Sequence, residues 1–349
     1  MYDRDEYVNV PALIVHIAGG KVSSRMTIPE IKSIKTRTVR FHGYGEPADV
    51  LRMEEAMLPG PGPNRVRVRV IACGLNPADW ALCRGLFAGN VPRGIGLDVS
   101  GTVDVVGEGV QDVAVDDLVF GPADFIDYAS AGASDYAILH HWARIPAGLD
   151  PIEAAALPMA VVTALGTLDC LGLRAEHTVL INGAGTMMGF AAVQIALMRG
   201  SRVIATAGET FAARLRGLGA TVISYGEGMV ERVLRVTGKS PDLIMDTAPV
   251  SGALPALVEI AGDPKRVITI SDFAAAKELG VRSNLGEMTA IPYEVLGDFA
   301  RLAADGRFTV PIARTYPLEN WRAAVDASQS QKAHGKLILL PASETTGGR

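Results

Sequence analysis

The stretch Val179-Leu-Ile-Asn-Gly-Ala-Gly-Thr-Met-Met-Gly-Phe-Ala-Ala-Val-Gln-Ile-Ala196 decides the fold. It reads as a short buried strand (Thr178 to Ile181), a loop carrying Gly183, Gly185 and Gly189, and an apolar helix (Phe190 to Arg199). Glycines permit a sharp turn and close backbone approach. The helix start presents free N–H groups and a positive dipole, the arrangement a pyrophosphate needs. Such a loop alone also suits an ordinary strand–helix turn, so its surroundings matter. Strands follow at Arg202 to Thr206, Thr221 to Ser224, Leu243 to Asp246 and Arg266 to Ile270. Helices separate them at Phe211 to Leu218, Met229 to Thr237 and Leu254 to Ile260. Short apolar strands alternating with amphipathic helices predict a doubly wound parallel sheet, an α/β fold.

Upstream the rhythm differs. Residues 36–155 read as an irregular, mostly β unit, with short strands at Arg37 to Phe41, Val99 to Val106 and Asp117 to Phe120. In Arg65 to Ala72, Val66, Val68 and Val70 alternate with Arg65, Arg67 and Arg69, which predicts a half-exposed antiparallel strand. After Arg307 the chain turns β-like again, at Val310 to Arg314 and Leu337 to Leu340, with a helix at Leu318 to Ser328 between. The first ~35 residues show no period.

Composition bounds the function. The 349 residues are 48% hydrophobic and 20% charged with net charge −5, which is globular and argues against a nucleic-acid partner. Three cysteines, Cys73, Cys83 and Cys170, form no CxxC pair. They give no disulfide framework or four-cysteine zinc site and point to a reducing, cytoplasmic setting. The apolar run Val179 to Met198 would trip a hydropathy scan, but Asn182, Gln194 and its glycines favour a soluble reading, so no membrane partner is expected.

Separated blocks carry a resemblance. They are Thr38-Val-Arg-Phe-His-Gly-Tyr-Gly-Glu-Pro, Ala72-Cys-Gly-Leu-Asn-Pro-Ala-Asp-Trp, Gly96-Leu-Asp-Val-Ser-Gly-Thr-Val, Ala154-Ala-Ala-Leu-Pro-Met-Ala-Val-Val-Thr-Ala-Leu, Val310-Pro-Ile-Ala-Arg-Thr-Tyr-Pro-Leu and His334-Gly-Lys-Leu-Ile-Leu. With the glycine loop, they resemble the medium-chain dehydrogenase/reductase superfamily, in its zinc-free quinone-oxidoreductase-like branch, over residues 36–341. The resemblance implies a GroES-like mostly-β domain split around a Rossmann domain, with the active site between them. The expected division is an N-terminal extension (1–35), a GroES-like catalytic domain (36–157 and 294–342) and a Rossmann domain (158–293). Zinc-binding members place Cys where this chain has Asn76 and His where it has Leu97, so no metal is expected.

The chemistry so implied is hydride transfer from a nicotinamide to a small-molecule quinone or α,β-unsaturated carbonyl. Addition creates an oxyanion that needs a hydrogen-bond donor rather than a strong base. The resemblance places Asn76 beside the nicotinamide, Thr163 at its side and Tyr136 at the cleft as a donor; each type also serves as a turn, helix-interior or core residue. It gives the dinucleotide to Gly183, Ala184, Gly185, Thr186, Met187, Met188 and Gly189. Thr206, Ala207, Gly208 and Tyr225 would follow on the adenosine side, with Ile268, Ile270 and Lys336 toward the nicotinamide. Asp98 matches a buried acid with a structural role. Two departures stand out. Thr186, Met187 and Met188 replace small residues, and the Lys that would hold an NADPH phosphate is missing, with Glu209 nearby. Tyr225, and Arg214 if it folds back, tip the expectation to NADPH over NADH. The resemblance also implies a homodimer. Other readings stand beside this one: a family member without turnover acting as a binding or regulatory protein, and a reductase dedicated to one biosynthetic intermediate.

Overall fold

A computed structural model describes residues 33–330 and 332–341. The N-terminal extension therefore lies outside the described residues as far as residue 32. Residues 34 and 35, which the sequence reading counted with it, already belong to the strand Ile34–Phe41, paired in antiparallel register with Leu51–Leu58.

The β unit is organised by Val66–Leu75, which pairs antiparallel with Asp98–Val106, Tyr136–Leu139 and Lys336–Leu340. Parallel pairing of Ile312–Pro317 with Lys336–Leu340 completes one edge. Residues far apart in the chain thus share one seven-stranded sheet. The alternation in this central strand is only half as simple as its sequence suggests. Val66, Val68 and Val70 are buried, but so is Arg67, whose guanidinium meets Asp104 at 2.6 Å. A strand with neighbours on both sides leaves little room for an exposed charge, so the charge is paired instead.

The helix Pro158–Leu171 leads out of this unit. It starts with Pro at its first turn and stops at Gly172, whose φ of 69° is the left-handed conformation that ends helices. The helical run Pro151–Leu171 is long and apolar enough to cross a membrane by length and composition, yet 72% of its apolar window is buried within the fold.

Six parallel strands follow, in the order Thr221–Ile223, Arg202–Thr206, Thr178–Asn182, Leu243–Asp246, Val267–Thr269, Arg282–Ser283. Numbered along the chain this is 3-2-1-4-5-6, the doubly wound order. Its switch point lies between Thr178–Asn182 and Leu243–Asp246, where open α/β sheets bind ligands beyond the strand ends. The helices Met187–Met198, Glu209–Gly217, Met229–Thr237 and Leu254–Ala261 supply the crossovers. Apolar side chains from both sheet faces and these helices form the core: Ile181, Phe190, Val193 and Met245 in one layer, Leu180, Ile204, Ile244 and Leu257 in another.

Candidate active site

The glycine loop sits at the switch point. Gly183 has φ +77°, and a Cβ there would lie 2.5 Å from the Ala248 nitrogen. Gly189 is as confined, with a Cβ 2.4 Å from the Gly183 carbonyl oxygen. Gly185 is open, its nearest contact being Phe211 at 3.5 Å. Thr186 caps the helix Met187–Met198: its Oγ1 accepts the Gly189 N–H at 3.0 Å and lies 3.2 Å from Thr247 Oγ1. Met187 packs against the core beside the sheet. Of the residues that depart from the usual loop, Thr186 therefore serves as a cap and Met187 as packing. The N–H groups of Gly185, Met187 and Met188 donate to nothing among the described residues. Three unpaired donors at a helix start fit a pyrophosphate.

A polar chain crosses the strand ends beneath this loop. Thr206 Oγ1 donates to Asn182 Oδ1 (2.7 Å) and accepts from the Gly183 N–H (2.9 Å). Asn182 Nδ2 donates to Asp246 Oδ1 (2.8 Å), and Thr269 Oγ1 donates to Asp246 Oδ2 (2.9 Å). Burial pushes the Asp246 carboxyl up, while these hydrogen bonds pull it back. Thr247 closes the arrangement by donating to the carbonyls of Asn182 and Gly183. The expected Thr206 thus acts under the loop. Asn182, Asp246 and Thr247 were missed; their position at strand ends facing the switch point was the available signal.

On the adenosine side, the Tyr225 hydroxyl lies against Gly208, and Ala207 is buried. Arg214 does not fold back. Its guanidinium stacks on Phe190 at 5.1 Å and donates to Thr309. Arg232 holds the Tyr225 loop instead, donating to the carbonyls of Ser224, Tyr225, Gly226 and Glu227.

In the β unit four polar residues lie almost fully inside: Asp79 (0% exposed), Asp98 (1%), Lys336 (3%) and Asn76 (5%). Lys336 Nζ meets Asp98 Oδ2 at 2.7 Å and Asn76 Oδ1 at 2.5 Å. Asn76 Nδ2 donates to the same Asp98 oxygen at 2.9 Å. Asp98 Oδ1 accepts the Met159 N–H at 3.0 Å, anchoring the helix on which Thr163 stands one turn further along. The Thr163 hydroxyl has no hydrogen-bond partner among the described residues; it is Thr167 that bonds back, to the Thr163 carbonyl. Asp79 accepts the Asn76 and Gly96 N–H groups, both at 2.7 Å. Burial outweighs those bonds and raises its carboxyl to about 7.

Two expectations need correction. Tyr136 pairs with Arg69, seven residues before Asn76, which directly follows that strand. At ~3.3 Å per residue that is roughly 20 Å of strand, so Tyr136 does not share a site with Asn76. Ile268 is fully buried among Ile181, Phe190 and Met245, and its side chain packs the core instead of lining a pocket. Ile270 follows the strand end, with its N–H on the Asp246 carbonyl, and is the one near the crevice. Sequence reasoning also missed Tyr293, whose ring lies 4.7 Å from His141 and 5.6 Å from His140. Burial and the charge of Asp98 raise its phenol to about 12, so it remains a donor at neutral pH.

Comparison with known proteins agrees with this architecture. Residues 62–147 match the alcohol dehydrogenase GroES-like domain and residues 218–339 the zinc-binding dehydrogenase family, together more than half of the chain. Burial raises the Cys73 thiol well above its usual range and Cys83 to about 12. No group of three or more His, Cys, Asp or Glu among the described residues could hold a metal ion. The chloroplast envelope quinone oxidoreductase homolog of Arabidopsis thaliana is 28% identical over 87% of this chain and 98% of its own. A phthioceranic/hydroxyphthioceranic acid synthase of Mycobacterium tuberculosis is 30% identical over 80% of this chain but only 14% of its own length. The solved quinone oxidoreductase of Coxiella burnetii superposes with TM-score 0.72 at 25% identity, covering 88% of this chain and 100% of that one. The split β unit, the six-stranded parallel sheet and these matches together assign the chain to the medium-chain dehydrogenase/reductase superfamily, in its quinone-oxidoreductase-like branch.

Proposed function

We propose that the chain is an NADPH-dependent reductase of quinones or α,β-unsaturated carbonyls that works without zinc. The observation that carries the reading is the glycine loop at the switch point, with three N–H donors that have no partner among the described residues. Its similarity to quinone oxidoreductases supports the coarser class, an NAD(P)H-dependent oxidoreductase. A bound nicotinamide supplies the hydride. The N–H groups of Gly185, Met187 and Met188 hold the pyrophosphate. Tyr225 flanks the adenosine, and Arg232 brings positive charge to the same loop, which favours the 2′-phosphate of NADPH against the opposing Glu209. Asn76 and Thr163 face the nicotinamide end. The Thr163 hydroxyl is free to donate to a ligand oxygen, and the Tyr293 phenol stays protonated nearby. Similarity to a segment of an acid synthase supports a biosynthetic role for the same chemistry.

Calorimetric titration with NADPH and NADH, each alone, tests this reading. Tighter binding of NADPH is the expected result; tighter NADH overturns the assignment of Arg232, and no binding of either overturns the enzyme. Asn76→Ala is expected to lower turnover of a small quinone about 100-fold, the scale of a misplaced reacting group, with NADPH affinity within about 3-fold of wild type.

A further inference from the structure

We propose that Asp98 and Lys336 are positioning residues that lock the Asn76 carboxamide in one of its two flip states, and that Lys336 acts on the cofactor only through Asn76. The inference rests on the reading of Asn76 as a residue beside the nicotinamide.

The register of three strands makes the arrangement. Leu337 lies opposite Leu75 and Asp98 opposite Gly74, so Lys336 and Asp98 come to Asn76 from the two strands that flank Val66–Leu75, the strand it directly follows. Gly74 clears the path between them. A Cβ at this position would sit 2.8 Å from Lys336 Cε, 3.2 Å from Asp98 Cβ and 2.4 Å from the Ala155 carbonyl oxygen. The lysine side chain therefore crosses above a backbone without a side chain and reaches both partners.

A carboxamide is nearly symmetric in shape, and its orientation follows from its partners. Here the partners are absolute. An ammonium can only donate, and an ionised carboxylate can only accept. Lys336 faces Oδ1 and Asp98 faces Nδ2. Inverting the amide would turn its NH2 against the ammonium and its oxygen against the carboxylate, in a site nearly closed to water, where electrostatic mismatches are most costly. The remaining Nδ2 hydrogen has only a long contact, 3.4 Å, to the Gly74 carbonyl. Asn76 is thus held as a donor with one weakly engaged N–H. The same carboxylate anchors Met159, so Asp98 also sets the helix that carries Thr163. The rival role for Lys336, direct contact with the cofactor, would use the third ammonium hydrogen.

Removing Lys336 alone would leave Asp98 buried and unpaired, so the test uses the neutral pair Asp98→Asn with Lys336→Met, checked by thermal unfolding. Quinone turnover with NADPH and the salt dependence of the NADPH dissociation constant are measured for wild type, Asn76→Ala, the neutral pair and the triple variant, and hydrogen exchange of the Asn76 side-chain amide is measured by NMR in wild type and the neutral pair. The neutral pair should lose about as much turnover as Asn76→Ala, about 100-fold. The triple variant should lose no more, because both act at one point. The salt dependence should match wild type, and the Asn76 amide protons should exchange faster. Additive losses, a shallower salt dependence in the neutral pair, or unchanged amide exchange would each overturn the clamp while leaving Asn76 in place. Wild-type turnover in Asn76→Ala would overturn both readings.

Discussion

Gly189→Ala is expected to remove dinucleotide binding and lower the melting temperature, although it adds one methyl group. That methyl would sit 2.4 Å from the Gly183 carbonyl oxygen, 2.5 Å from Thr247 Oγ1 and 2.9 Å from Ala184 Cα. Two of these are backbone atoms of the loop itself, and the loop cannot retreat. Gly183 is already in the left-handed region against the backbone of Thr247 and Ala248. The first turn of Met187–Met198 must therefore move, taking its free N–H groups away from the pyrophosphate position. A hydrogen bond to a charged group contributes about 1.5–3 kcal/mol. Losing two corresponds to more than about 100-fold in affinity. Gly185→Ala is the matched control. Its methyl meets only Phe211 at ordinary contact distance and needs no unusual φ, so its melting temperature should stay at the wild-type value. Calorimetry with NADPH and thermal unfolding read both variants. Wild-type affinity in Gly189→Ala, or equal loss of stability in Gly185→Ala, would remove the steric basis of the site.

The contrast between these glycines shows what a sequence can convey here. The strand–loop–helix unit is local: periodicity, glycine spacing and the following strand–helix alternation all lie within one stretch of chain, so the parallel sheet could be read directly. The polar interior of the β unit is not local. Lys336 meets Asn76 across 260 residues because two antiparallel registers align. Nothing in His334-Gly335-Lys336 distinguishes a surface lysine from a buried one. Tyr136 was misplaced for the same reason: its pairing with Arg69, set by register, decides its distance from Asn76. The strand Leu51–Leu58 escaped notice because Arg52, Glu54 and Glu55 interrupt its apolar pattern; as a sheet edge, it tolerates charge. Asp79 resembles an ordinary helix-start acid, yet it is fully buried and also accepts the N–H of Gly96, 17 residues further along the chain.

Asp79 also gives the fold a pH dependence with a definite sign. Its carboxyl is raised to about 7 because burial dominates, although the N–H groups of Asn76 and Gly96 and the charge of Lys336 act the other way, and Asp98 adds to the rise. In the unfolded chain an aspartate titrates near 3.9. Between about pH 4 and pH 7 the unfolded chain has released this proton while the folded protein keeps it. Stability from this group is therefore full below about pH 4, falls as pH rises to about 7, and is level above, a change of order 4 kcal/mol. Asp79→Asn removes the titration. It also leaves one of the two N–H donors facing an NH2 group, at about 1–3 kcal/mol independent of pH. The variant should accordingly be least stable relative to wild type at pH 5, with the gap closing or reversing by pH 8. Urea unfolding of both proteins at pH 5, 6, 7 and 8 isolates the effect, since other groups titrate alike in the two. A gap that is constant, or that widens as pH rises, would mean the carboxyl is ionised in the fold at acid pH. It would then hold Asn76 and Gly96 as an ordinary charged cap, and the environment around Asn76 would be far more polar than its burial indicates.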